Sequence, residues 1–158
     1  MANKNMIGID ADKAQQLANK LNMLLANYQL FYINARGFHW NISGNKFFEL
    51  HAKFEELYDD AILKIDEIAE RILTLGHTPF HSFTTYLENS IIKEVADVSD
   101  GAEAVREVLN GFKVLIEAER ELLTLSGEAD DEGTSALMSD YIREQEKLVW
   151  MYSAYLRD

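Results

Sequence analysis

Leu17, Leu21, Leu24, Tyr28, Phe31, Ala35 and Phe38 recur at alternating spacings of four and three, an interval that lays one apolar stripe along a 3.6-residue helix. Asp10 stands where such a helix takes its cap, so the first helix is predicted to start there. Gly44 and Asn45 interrupt the pattern. A second stripe then runs through Phe47, Leu50, Phe54, Leu57, Ala61, Ile65, Ile68, Ile72 and Leu75 until Gly76 stops it, as a glycine after a helix commonly does. A third follows Asp100 as N-cap: Ala102, Val105, Leu109, Phe112, Leu115, Glu119, Leu122 and Leu125, closing around Ser126 and Gly127. After the acidic stretch GEADDEGTS a fourth carries Leu137, Tyr141, Gln145, Leu148, Tyr152 and Tyr155.

Between Gly76 and Asp100 the periodicity is lost. Pro79 opens the segment, TTYLENS predicts a short helix, and VADVSDG reads as a turn into the third long helix. Two helix pairs with short loops, joined by roughly two dozen residues, describe an all-α, ferritin-like four-helix bundle with one long crossover. A plain up-and-down bundle would not need so long a link. Residues 1–158 are expected to form one domain, with 1–9 as a flexible tail.

Composition narrows the chemistry. The 158 residues include one proline and no cysteine, which excludes disulfides and thiolate metal sites and leaves imidazole and carboxylate as ligands. No stretch of eighteen apolar residues occurs, and MANKNMIGIDADK lacks the apolar run of a signal peptide, so a soluble cytoplasmic protein without membrane association is expected. A formal net charge of -12 opposes binding to phosphate backbones and anionic lipids and favours cations.

Residues 37–71 hold the candidate site. His51 and Glu55 are four apart, as are Asp66 and Glu70, so each pair shares a helix face. Taken singly, such a pair is usually a packed histidine or a solvated acidic face. The two pairs lie fifteen residues apart on one helix, roughly 22 Å at about 1.5 Å per residue, too far to share an ion within one chain. Two copies of the helix packed antiparallel about a two-fold axis near residues 60 and 61 would bring residue 51 of one opposite residues 66–70 of the other. His39, at the end of the first helix, would supply a second imidazole. Such mixed ligation suits iron(II), and zinc or manganese as well. Glu-x-x-His motifs, which bundles use to hold metal inside, are absent: Arg36, Phe48, Thr74 and Thr78 stand three positions before the four histidines. The bundle interior is therefore expected to be apolar and the metal to sit elsewhere.

HWN at 39–41, a histidine twelve residues after the first, an acid four later and Asp-x-x-x-Glu fifteen beyond the second histidine resemble the Dps family, the miniferritins called DNA-binding proteins from starved cells. The resemblance runs from the first helix through WMYSAYL. It implies a hollow homododecamer whose ferroxidase centres, shared between two-fold related subunits, oxidise iron(II), preferably with hydrogen peroxide. The ferric product would be stored as mineral, protecting the cell from oxidative stress. By motif position the ligands are His39, His51, Glu55, Asp66 and Glu70, with Glu55 where the family usually has aspartate. Trp40 would take up stray oxidising equivalents in the family manner; an ordinary interface aromatic is the alternative.

Other acids have two readings each. Glu128, Asp130, Asp131 and Glu132 precede the fourth helix, where the dipole favours negative charge; by resemblance Asp131 and Glu132 would line a cation path through three-fold pores. Glu56, Asp59 and Asp60 would nucleate mineral or form a solvated outer face. His77 and His81, separated by Pro79, read as structural. Lys4 and Lys13 are offset by Asp10 and Asp12, and the chain ends LRD, so weak or absent DNA binding is expected. A DNA-compacting protein without iron chemistry and a purely structural oligomer are the competing readings.

Overall fold

Asp10 caps the first helix as its position implied: its carboxylate accepts from the Lys13 amide at 3.0 Å. In the computed structural model, which describes residues 3–157, that helix is α1, Ala11–Asn41, followed by α2, Phe47–Thr74. The short α3, Phe83–Asn89, interrupts the crossover, and α4, Gly101–Glu128, and α5, Glu132–Tyr155, complete the bundle. Among the described residues there is no strand beyond an isolated Lys4–Asp10 bridge. Asp100 caps α4 through the Glu103 amide and Asp131 caps α5 through the Thr134 amide. Gly44 in the α1–α2 loop and Gly76 after α2 take φ of +105° and +92°, left-handed conformations that cost glycine little.

α1 pairs with α2, α4 with α5, and α1 also packs against α4. The four stripes meet in one core in which Leu17, Leu21, Phe54, Ile68, Leu115, Leu122 and Met138 are wholly buried. α1 is buried on a second side as well, because the crossover runs along it. Three buried asparagines hold that crossover. Asn22 accepts from the Phe80 amide and donates to the Thr78 carbonyl. Asn27 accepts from the Ile91 and Ile92 amides and the Ser90 hydroxyl. Asn34 accepts from the Val95 amide and donates to the Lys93 carbonyl. Irregular backbone laid over an apolar helix must find partners for its amides and carbonyls; these side chains provide them.

Two expectations need correction. Residues 3–9, read as part of a free tail, are folded back: the Asn5 side chain accepts from the Ile7 and Ile9 amides, and Ile9 is buried. Residues 1 and 2 lie outside the described residues. The interior is also not purely apolar. Glu119 and Gln145 occupy stripe positions and carry their polar ends into the centre, where the Tyr28 hydroxyl meets both.

Candidate metal centre

The short α1–α2 loop sets the last turn of α1 beside the first turns of α2, and this fixes the histidines. The imidazoles of His39 and His51 stack with centroids 3.8 Å apart and planes 13° from parallel. Each Nδ1 lies 2.7 Å from the other residue's backbone carbonyl. A carbonyl only accepts, so both Nδ1 atoms carry the proton. In the neutral rings each Nε2 lone pair is then left for an ion, and neither Nε2 has a protein partner among the described hydrogen bonds. Fixing the far nitrogen through a second hydrogen bond is how proteins orient metal-binding imidazoles. His39 is buried and His51 half-buried, with Phe47 stacked on His51 and Tyr58 set edge-on to His39 at 5.2 Å.

Glu55 follows His51 by one turn of α2 and is exposed. It lies near enough to Tyr58 that its carboxylate, after partial burial of the ring, helps raise the phenol above its ordinary pKa. Asp66 and Glu70 are exposed on the far half of α2. One chain thus brings His39 and His51 together with Glu55 a turn away, and keeps Asp66 and Glu70 apart from them. Among the described residues no group of three histidine, aspartate or glutamate side chains within a single chain could hold a metal ion.

Trp40, next to His39, is 58% exposed, and the Arg36 guanidinium lies 4.6 Å from its ring centroid. Arg36 also reaches Tyr32 and Tyr58 at 5.9 Å each and donates to the Tyr32 hydroxyl. Arg36, Tyr32 and Tyr58 escaped the sequence reading. The signal was available, since Arg36 lies three residues before His39 and Tyr58 three after Glu55, both helical neighbours.

The remaining acids sort differently. Asp131 is 2% exposed, accepts from the Thr134 amide and hydroxyl, and pairs with Arg71. Those bonds commit it to capping, whereas Glu132 and Asp130 are exposed. Asp60 and Glu144 both receive the ammonium of Lys64, a buried lysine that ties α2 to α5. Glu56 and Asp59 are exposed on α2. Among the described hydrogen bonds His81 meets only the nearby Pro79 carbonyl, and His77 is half-buried just after α2.

In the interior polar layer, burial pushes the Glu119 carboxyl up to about 8, opposed by its hydrogen bond with Tyr28 and by the Lys64 charge. With the Gln145 amide turned so that its nitrogen faces Glu119 and its oxygen accepts from Tyr28, a neutral Glu119 can donate to the Tyr28 oxygen and close the ring of bonds. This layer has no histidine, and it is separate from the stacked pair.

Comparison with known proteins agrees with this architecture. The family model described as Ferritin-like domain matches residues 18–158. A Porphyromonas gingivalis protein called "DNA protection during starvation protein" is 43% identical over 155 residues, covering 96% of this chain and 98% of that one. The crystal structure of a Vibrio cholerae O1 DPS protein, described as a member of a broad superfamily of ferritin-like diiron-carboxylate proteins, superposes with a TM-score of 0.96 at 60% identity, covering 99% and 98%. A Bacillus brevis Dps structure gives a TM-score of 0.89 at 38% identity, covering 92% and 98%. No helix among the described residues is long and apolar enough to cross a membrane.

Proposed function

The chain belongs to the Dps family of ferritin-like proteins, and from that premise we propose that it oxidises iron(II) at sites shared between two-fold related copies and stores the ferric product. The observation that carries this reading is the reciprocal locking of His39 and His51, which leaves two adjacent Nε2 atoms free at one end of α2. Glu55 adds a carboxylate beside them. Asp66 and Glu70, at the other end of α2, complete the ligand set from a second copy, since an antiparallel pairing exchanges the two ends.

Iron is substrate and cargo here. Imidazoles orient it, and three carboxylates offset its charge and favour the ferric product. Hydrogen peroxide is the preferred oxidant: two iron(II) ions give one electron each, the O–O bond breaks, and two protons complete two waters. Paired electron delivery avoids hydroxyl radical. Trp40, adjacent to His39, takes up oxidising equivalents that escape this pairing. The product collects within a homododecamer in the cytoplasm.

For relatives named for DNA protection, the name describes an outcome. In this chain we read that outcome as removal of iron and peroxide rather than as coating of DNA, because the net charge of -12 repels phosphate.

The test uses mixed assemblies. His51→Ala and Asp66→Ala proteins are each expected to lose peroxide-driven formation of ferric absorbance. Dissociated, mixed equally and reassembled, they should recover roughly a quarter of the parent activity, because about half of random seams pair unlike chains and each of those restores one of its two sites. Retained full activity in either single variant, or no recovery in reassembled mixtures, would refute the shared site.

A further inference from the structure

Among the described residues no carboxylate forms an ion pair with Arg36. In a chain of net charge -12, the described ion pairs account for Arg71, Arg120, Arg143 and four lysines, and none includes Arg36. Its guanidinium lies among rings instead: 4.6 Å from the Trp40 centroid, 5.9 Å from those of Tyr32 and Tyr58, and 3.1 Å from the Tyr32 hydroxyl through Nη1. Tyr58 is in turn edge-on to His39. The cation therefore sits within the easily oxidised shell around the histidine pair.

A positive charge near a π system is attracted to its electrons. Removing one of those electrons turns attraction into repulsion, so the oxidised ring is disfavoured. We propose that Arg36 is a positioning residue that sets the threshold at which Trp40 and Tyr58 surrender an electron, keeping mild oxidants working on iron and leaving the rings to the strongest. The role rests on the iron-oxidation reading above. When a lone iron(II) reduces peroxide by one electron, the O–O bond breaks to hydroxide and hydroxyl radical. That radical takes one electron from the Trp40 indole and becomes hydroxide, while the indole N–H proton passes to water. Arg36 raises the barrier to this loss for weaker oxidants.

The threshold can be measured without iron, which separates its failure from failure of the ferroxidase reading. A flash-generated tris(bipyridine)ruthenium(III) complex removes one electron from a tryptophan and returns to ruthenium(II). In a Trp150→Phe background Trp40 is the sole tryptophan, the chain having two. Arg36→Met, which keeps an unbranched stem and deletes the charge, should increase the rate of Trp40 radical formation by roughly two- to tenfold, the range expected of a cation over an aromatic face. Arg36→Lys should stay near the parent rate. Tyr32→Phe removes the hydrogen bond orienting the guanidinium and should give a smaller increase, which decides the matter if Arg36→Met does not fold. An unchanged or slower rate in Arg36→Met, or in Tyr32→Phe where that variant alone folds, overturns the proposal. Equal rates in Arg36→Lys and Arg36→Met overturn it too, since packing rather than charge would then be responsible.

Discussion

Replacing Glu119 by glutamine should abolish a pH dependence of stability that the parent carries in its core. Burial moves the carboxyl from its ordinary 4.5 to about 8, so the folded chain holds this proton where the unfolded chain has lost it. The stabilisation from that extra proton is fully present below the unfolded pKa and is lost as pH rises through about 8. Above that, both states are ionised and the contribution stays flat. A shift of this size at about 1.4 kcal/mol per pH unit caps the effect near ~5 kcal/mol, and relaxation around a buried charge brings it to the order of 2–4 kcal/mol. Glutamine copies the neutral acid: its amide donates to the Tyr28 oxygen and its carbonyl accepts from Gln145. Urea midpoints for parent and Glu119→Gln across about pH 5–9, at one fixed protomer concentration because assembly couples to stability, give the answer. The curves should nearly meet at the acid end and diverge with rising pH, the variant becoming the more stable. Groups common to both proteins cancel in the difference. Parallel curves would mean that Glu119 ionises in the fold as it does in water, and the account of the interior layer would be wrong.

Asn27→Leu keeps the size of the side chain but strands the Ile91 and Ile92 amides, while the Ser90 hydroxyl keeps the Ile92 carbonyl; two buried donors left unpaired at about 1–3 kcal/mol each predict a loss of about 2–4 kcal/mol. Hydrogen exchange at residues 91 and 92 should accelerate well beyond that in α2, and unchanged protection there would contradict the assigned role. Asp131→Ala removes the α5 cap and leaves the Arg71 guanidinium without its partner, at a cost of about 2–4 kcal/mol; Asp131→Asn, which keeps a capping oxygen, should recover part of it in thermal melts. Equal melting of the two variants would mean the cap contributes nothing. In a gel-shift assay at about 100 mM salt without divalent ions, the protein should leave duplex DNA unshifted; a discrete retained complex would defeat the charge argument.

The helices were legible because each announces itself locally. Asp10 and Asp100 precede stripes whose period needs no knowledge of the rest of the chain, and the boundaries at Gly44 and Gly76 follow from the same short-range rules. Asp131 was ambiguous for an equally physical reason: an acid before a helix reads alike whether it caps or lines a pore. The Thr134 amide and hydroxyl and the Arg71 side chain, the last 60 residues away in sequence, decide it together. The interior layer was missed because Glu119 and Gln145 fall on stripe positions and were counted with the apolar residues, while the Tyr28 hydroxyl that satisfies Glu119 is 91 residues distant. The asparagines of α1 were silent too, since their partners lie in the crossover.

The candidate metal centre divides along the same line. Twelve residues between His39 and His51 could be counted, but that each ring's Nδ1 is bound by the other's carbonyl depends on the angle of the α1–α2 loop. Asp66 and Glu70 extend the argument past the single chain. α2 carries His51 near one end, beside His39 of α1, and Asp66 and Glu70 toward the other, roughly 22 Å away at about 1.5 Å per residue. A second α2 running the opposite way would meet the requirement for both copies at once, so the proposed chemistry and the assembly are one proposition. A single change at residue 51 should therefore disable a site that draws Asp66 and Glu70 from the neighbour, and a mixed assembly reveals this where a uniform one does not.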